Sequence, residues 1–476
     1  AINIIAEMND PLSMFRQTNR LVRINETIKE NSFIIEDIDA DIVNGMLFRG
    51  ANWVIQTKKS TRASHPPLAI VKDILVNPPS IIPELETIIT APSFTQENIL
   101  FNKPGYNAKL KVFYPSSKLV EFEPINPNPT ESEVAECLKF LTEDMLGDFP
   151  LATQSDIANT LGTILEQFIK FQIYGCRPLR AFEAATPGTG KGLLVRAICL
   201  LCFGREIEAT TIPEEKQEWA KLITSLLMEM PEAIFFDNVG KIILSPDLEA
   251  ALTAVLWKRR LLGTNKTVEC YNRALWMCTG NNMIYGGDLP RRVVPIRMVA
   301  KQEDPSKRPA TDFRHPDLLG WISVNRGQLV RCCLTLVQYW INEGKPLSNY
   351  RLGSFESWST NIGGLLKCLG VNGFLDNLET SHKIADPNRE YWIEFINHWY
   401  KDFEYKEVTV KQLLEMCEEK ELFTFAKDHE SSNKSKQTKL AAMLRNYRDR
   451  IFNNYKIIYK TERDHSCYCL EYIQPT

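Results

Sequence analysis

The stretch Ala184-Ala-Thr-Pro-Gly-Thr-Gly-Lys-Gly-Leu-Leu194 constrains this chain more than any other. It follows a short apolar segment and precedes an apolar run, 193–202, that reads as a helix. A strand, a glycine-bearing loop and a helix in that order form the setting in which a loop cradles phosphate. Gly188 and Gly190 let backbone N–H groups close on an anion without Cβ clashes. The positive end of the following helix points at the same place. Pro187, Gly188, Thr189, Gly190, Lys191, Gly192 and Leu193 are therefore the candidate nucleotide-binding residues, with Lys191 reaching the β- and γ-phosphates of ATP. Two positions depart from G-x-x-x-x-G-K-[ST]. Ala185 replaces the first glycine, and Gly192 replaces the hydroxyl residue that normally touches Mg²⁺.

The rest of the chain must supply a sheet for that loop. From 178 to 299 the pattern alternates, with candidate strands at 179–184, 205–211, 233–237, 274–279 and 294–299. Candidate helices fall at 191–202, 214–230 and 246–258. Such alternation predicts an α/β fold, a five-stranded parallel sheet covered on both faces. At 476 residues the chain has room for about three domains at roughly 150 residues each. The reading is an α+β N-terminal domain over 1–130, a helical collar over 131–177, an ATPase core with following helices over 178–380, and a winged helix over 381–476.

Before the core, Arg20 to Ile24 alternates like a strand, 68–76 reads as a helix stopped by Pro78-Pro79, and Pro124 to Pro129 reads as a linker. Asp37-x-Asp39-x-Asp41 lacks the glycine and distal glutamate of a calcium loop and reads as a solvated turn. In 131–174, Leu138, Leu141 and Leu146 line one helix, and Ile157, Leu161, Ile164, Phe168 and Phe171 line another. After the core, 317–343 reads as one long apolar helix capped by Asp317. The last segment shows helices at 391–403, 410–419 and 438–452, a polar loop at 431–436, and a hairpin from 455–460 and 467–473. Lys439, Arg445, Arg448 and Arg450 lie off the apolar stripe of the third helix. That helix suits a major groove, and a protein-docking module remains the alternative.

The net charge is −3, so a nucleic-acid partner needs a local basic surface. No apolar run approaches the ~20 residues of a membrane span, and the opening Ala1-Ile-Asn-Ile-Ile5 does not read as a leader. The absence of an initiator Met predicts a piece of a longer protein. The 12 cysteines sit largely in apolar runs, which predicts reduced thiols and a cytoplasmic location. Cys199-x-x-Cys202 has no second pair nearby and does not read as a zinc site.

Three further motifs carry chemistry. Phe235-Phe-Asp-Asn238 ends an apolar strand, and a carboxylate there holds Mg²⁺ beside a phosphate loop, so Asp237 is the metal residue. Asn238 stands where a second acid would serve as base for the attacking water; Glu215, Glu218 and Glu232 are the alternatives. Thr279-Gly-Asn-Asn282 ends the next strand, where an amide can orient that water; Asn281 and Asn282 are both candidates. Asp288-Leu-Pro-Arg-Arg292 follows, and an arginine there can reach a neighbouring subunit's ATP, Arg292 foremost with Arg291 in support. Such an arrangement requires a head-to-tail neighbour and hence a ring. Arg326 is a further candidate phosphate sensor. Between the metal strand and the sensor strand, 258–273 reads as a basic hairpin. Thr264, Asn265 and Lys266 form its tip, and Lys258, Arg259, Arg260 and Arg273 flank it. Such a tip can grip single-stranded DNA by its backbone.

In this order, Gly188-x-Gly-Lys191, Phe236-Asp-Asn238, the hairpin, Thr279-Gly-Asn-Asn282 and Arg291-Arg292 resemble the AAA+ core of superfamily III helicases. The resemblance is to replication helicases of phages and integrative elements. These include poxvirus-type primase-helicases and self-loading initiator helicases of staphylococcal pathogenicity islands. Phe313-Arg-His-Pro-Asp-Leu318 and Gly353-Ser-Phe-Glu-Ser-Trp358 are also similar to that group. The resemblance spans 130 to the C-terminus and, more loosely, the N-terminal part. It implies a homohexamer that encircles one DNA strand and translocates by ATP hydrolysis, at an origin or a forked duplex. It implies the same roles for Lys191, Asp237, the Asn sensor, Arg292 and Lys266. A non-translocating initiator or regulator and a defence-system ATPase are the alternatives.

Overall fold

Unbroken buried runs mark the centre of the fold. The computed structural model describes all residues except 19, 28–31, 119, 241, 262–266, 301, 379–386, 424–431, 463–464 and 475–476. Five strands form one parallel sheet: β1 (Leu179–Ala184), β2 (Ala209–Thr210), β3 (Ala233–Val239), β6 (Leu275–Asn281) and β7 (Val293–Met298). β4 (Leu256–Arg260) and β5 (Thr267–Tyr271) are the antiparallel hairpin between β3 and β6. The order across the sheet is β2-β3-β6-β1-β7, and every neighbouring pair is parallel. Successive residues in β1, β3, β6 and β7 are buried, which requires cover on both faces.

The helices are α1 (Glu131–Lys139), α2 (Gln154–Leu165), α3 (Lys191–Phe203), α4 (Lys216–Met228), α5 (Pro246–Leu252), α6 (Leu318–Asn342) and α7 (Glu356–Cys368). Thr130 and Thr153 close capping boxes on α1 and α2, and Asp317 caps α6 through Gly320 N–H at 3.0 Å. α2 is buried on nearly every side rather than along one stripe. Its Asp156 accepts the Arg297 N–H at 2.7 Å and an Asn377 amide at 3.0 Å, fastening it to β7.

α5 ends at Leu252, six residues before the expected stop. The Asn272 amide donates to the carbonyls of Ala251 (2.7 Å) and Ala254 (3.2 Å), closing the helix. Trp257, which a longer helix would have carried, instead enters β4. It is buried there with its indole N–H on Thr224 at 3.0 Å. The expected strand at 205–211 shrinks to the two residues of β2 at the sheet's edge.

Residues 1–130 mix short helices with small sheets and pack against the amino ends of the core strands. Thr90 gives its N–H (3.0 Å) and hydroxyl (2.6 Å) to Glu232, just before β3. Glu86 pairs with Arg273, just before β6, at 3.0 Å. Among the described residues no helix is long and apolar enough to cross a membrane.

The chain divides into two compact units, Ala1–Ser381 and His382–Thr476. The second unit contains α8 (Pro387–Phe403), α9 (Val410–Glu419) and α10 (Asn433–Asn446). An antiparallel sheet follows, made of β8 (Ile451–Phe452), β9 (Tyr455–Glu462) and β10 (His465–Tyr472). Trp392, Phe395, Trp399, Leu440, Leu444 and Ile457 share its core. α10 starts earlier than 438 because Ser432 caps it and Lys436 pairs with Glu418 at 2.8 Å. It ends at Asn446, with Asp449 left-handed soon after (φ 64°), and Asn453 and Asn454 are left-handed too (φ 48° and 68°). These two asparagines form the two-residue turn from β8 into β9.

Glu166 joins three parts of the first unit. Its carboxylate takes Arg177 at 2.7 Å, Arg180 of β1, and the Trp358 indole N–H of α7 at 2.9 Å. All of these side chains are buried. Glu166→Ala leaves two guanidinium groups without an anion, and we expect a loss of about 3–5 kcal/mol in denaturant unfolding.

Candidate functional site

The carboxyl ends of β1, β3 and β6 meet at one place because β6 lies between the other two. β1 runs into the loop, where Gly188 (φ 77°) and Gly190 (φ 90°) hold left-handed backbone that a side chain would strain. Lys191 opens α3 and turns back over the loop. Its ammonium donates to Asn281 Oδ1 at 2.8 Å and lies 3.4 Å from Thr189 Oγ1. Burial pulls the Lys191 pKa below the usual lysine range, and the nearby Asp237 carboxylate partly opposes this.

β3 leaves its ladder with β6 after Phe236, so Asp237 and Asn238 bulge from the sheet. Asn238 is left-handed (φ 49°) and both side chains are exposed. A bulge of this kind re-aims a side chain. Thr279, buried in β6, holds the bulge in place. Its hydroxyl donates to Asp237 Oδ1 and accepts the Asn238 N–H at 2.9 Å. The other Asp237 oxygen has no protein partner among the described residues and suits a hard cation. A Cβ built at Gly192 would meet nothing within 4 Å. That open space admits a water where the usual loop hydroxyl would stand. No cluster of three or more His, Cys, Asp or Glu among the described residues could hold a metal by itself.

The sequence candidates divide in space. Lys191, Asn281, Thr279 and Asp237 come together. Asn282 does not: it is exposed, left-handed (φ 47°), and its N–H goes to the Ala184 carbonyl at 3.3 Å. Arg292 is 12% exposed and is bound within its own chain. It donates to the Glu249 carbonyl near the end of α5 and pairs with Asp288 at 3.1 Å. Arg291 shares Asp288 but is 58% exposed. Arg326 lies at the far end of α3 from the phosphate loop, on the carbonyls of Leu200 and Leu201 (both 3.1 Å), where it caps the helix, and on the Thr90 carbonyl at 3.0 Å. Glu232 sits at the amino end of β3, a strand's length from the loop. Glu215 and Glu218 instead open α4, which follows the carboxyl end of β2 on the loop's side of the sheet.

The hairpin arms form as expected, while Thr264, Asn265 and Lys266 lie outside the described residues. Lys258 pairs across the hairpin with Glu269 at 2.5 Å. Arg259 pairs with Asp247 at 2.8 Å and stacks on Trp257.

A cavity of about 570 Å³ adjoins the loop, with Gly188, Gly190 and Leu193 on one wall and Phe149, Phe313 and His315 among the others. Arg308 fixes this wall, donating to the carbonyls of Asp148 (2.9 Å) and Asp312 (2.7 Å) with its guanidinium over Phe313 at 4.1 Å. His315 stacks on Trp321, and its buried Nε2 has no hydrogen-bond partner. Size and largely apolar walls suit a nucleobase. Phe149, Arg308 and His315 reach the cavity from distant sequence; His315 falls in the 313–318 stretch noted for its resemblance, while no local signal marked Phe149 or Arg308.

No family model matches the chain, and no curated protein matches it. Among solved structures, the C-terminal region of NrS-1 (residues 305–718, A form, apo) is similar over 95% of this chain and 96% of that one. The identity is 11% and the TM-score 0.38.

Thr279→Val keeps the side-chain volume but removes both bonds that hold the β3 bulge. We expect about 1–3 kcal/mol lower stability from the orphaned Asn238 N–H, with Thr279→Ser near wild type, read from denaturant midpoints.

Proposed function

We propose that this protein is an ATP hydrolase that works on DNA, as a ring whose subunits share each nucleotide. One observation carries the proposal. A left-handed glycine loop, the Lys191–Asn281 bond and the Thr279–Asp237 clamp converge beside a nucleobase-sized cavity. Backbone N–H groups of 187–193 and Lys191 hold the phosphates, and the Phe149–Phe313–His315 cavity takes the base. Mg²⁺, when bound, neutralises charge on the β- and γ-phosphates. Asp237 is the residue placed to hold it, with water at Gly192 in place of the usual hydroxyl. Asn281 orients the attacking water once Lys191 turns to phosphate. Glu215 and Glu218 are the carboxylates on the loop's side of the sheet from which the proton acceptor is drawn.

Between subunits, we assign the reach to Arg291, since Arg292 already serves α5 of its own chain. Arg292 then anchors the turn that presents Arg291. The second unit is read as a winged helix that meets DNA, on its order of three helices followed by a three-stranded antiparallel sheet. Lys266 at the hairpin tip is the proposed strand contact. Unwinding distinguishes this reading from a DNA-bound switch that uses ATP only to assemble.

ATP turnover with and without single-stranded DNA, strand displacement on a fork, and mass photometry test the proposal. Lys191→Ala is expected to abolish turnover. Asn281→Ala is expected to cost about 10²-fold or more while Asn282→Ala changes little, as their contacts dictate. Arg291→Ala is expected to lower turnover by about 10³-fold or more without loss of stability, the scale of an arginine supplied in trans. Lys266→Ala keeps turnover and loses unwinding. Wild-type protein that hydrolyses ATP yet never unwinds a fork would establish the switch instead.

A further inference from the structure

The amino ends of the core strands hold a second charged cavity, of about 350 Å³. Its lining brings four cations together, Lys109, Lys170, Arg177 and Arg273, against one carboxylate, Glu86. Arg177 immediately precedes β1 and Arg273 precedes β6. The phosphate loop leaves the opposite end of β1, roughly 20 Å away at ~3.3 Å per residue. This cavity is therefore not part of the nucleotide site described above.

Charge does not balance here. Lys109 pairs with Glu97 at 2.5 Å, Arg273 with Glu86 at 3.0 Å, and Lys170 with Glu232 at 3.9 Å. Arg177 must share Glu166 with Arg180, all three side chains being at most 4% exposed. Five cations thus face four carboxylates, and the excess guanidinium is buried. Arg177 spends Nε on Glu166 and Nη2 on the Lys170 carbonyl at 2.8 Å, while its Nη1 is buried without a hydrogen-bond partner. Among the described residues Lys170 meets Glu232, whose oxygens are already taken by Thr90, at 3.9 Å, and lies 5.9 Å from the Phe171 ring centroid. Burial, with Arg273 close by, pulls the Arg177 pKa down to about 10, and burial lowers that of Lys170 as well. A buried unpaired charge is costly, and an anion in the cavity relieves that cost. Phe171 and the 65%-exposed Tyr174 also line the cavity and present ring faces on which a base can stack. Its volume lies in the range of roughly 300–1,000 Å³ of small-ligand sites.

We propose that this cavity binds one phosphate-bearing nucleotide unit, its phosphate at Arg177, Lys170 and Arg273 and its base against Phe171 or Tyr174. The unit is either a free nucleotide or one nucleotide of a DNA strand, and both present the same chemistry.

Calorimetric titration of the full chain carrying Lys191→Ala, which silences the phosphate loop, tests this. The probes are inorganic phosphate, AMP, and a thymidine dinucleotide with and without a 5′-phosphate. Phosphate-bearing probes are expected to bind, and Lys170→Gln/Arg273→Gln to weaken them at least tenfold. The dinucleotide lacking its 5′-phosphate retains one internucleotide phosphate, so it binds if the site takes a strand and fails if it takes a free 5′-nucleotide. Should the double variant fold poorly, Lys109→Gln/Tyr174→Ala at the accessible side gives the same comparison, with a loss of at least threefold. Absence of binding by inorganic phosphate, AMP and both dinucleotides at millimolar concentration overturns the proposal. Equal affinity in a folded variant also overturns it.

Discussion

The site depends on one neighbour relation: β6 lies between the loop strand and the acid strand. Neighbouring strands are about 4.8 Å apart, so their ends share a single edge. The register sets Asn281 level with Ala184, the last residue before the loop. Thr279 and Asn281 are two apart and face the same way, one toward Asp237 and the other toward Lys191. A slip of one residue would turn both to the other face and replace them with Cys278 and Gly280. The buried faces of β6, with Trp276, Met277 and Cys278 almost wholly enclosed, fix that register. Packing in the middle of the strand therefore decides the chemistry at its end.

Much of this was legible in the sequence because the signals are local. β1, α3, α6 and the hairpin arms follow from apolar runs, glycines and caps within a few residues, and the parallel sheet follows from their alternation. The loop lysine and the strand-end aspartate are marked in the same way. What escaped depends on partners far along the chain. α5 stops where Asn272 caps it, and β2 pairs with β3 over two residues only. Glu232 reads as a possible base until Thr90 claims it, and Arg326 as a sensor until it is found capping the wrong end of α3. Apolar periodicity carries the third helix of the last segment to 452, whereas it ends at Asn446 and Ile451–Phe452 pair with β9.

The adjacent arginines show how much neighbours settle. In sequence Arg291 and Arg292 are both basic and both before a buried strand, and Arg292 stands foremost. In the structure Asp288 draws on both, but Arg292 also satisfies a carbonyl near the end of α5. A guanidinium engaged there must give up charge-assisted bonds before it can serve a neighbour, whereas Arg291 gives up one exposed ion pair worth about 0–1 kcal/mol. The cost of release differs, and so does fitness for a role between subunits.

The two ends of the sheet carry positive charge by different means. At the carboxyl end it comes from backbone N–H groups and the start of α3, with a single lysine in support. Those dipoles are fixed by the fold and remain partly solvated, so the loop persists without a ligand. At the amino end it comes from buried side-chain charge, in which Arg177 and Arg180 compete for Glu166. That imbalance lies inside the protein, where the surrounding packing must absorb it. Glu166 sits between α2, the loop strand through Arg180, and α7 through Trp358. Glu166 is thus the carboxylate that joins Arg177, beside the amino-end cavity, to Arg180 in the strand that carries the loop.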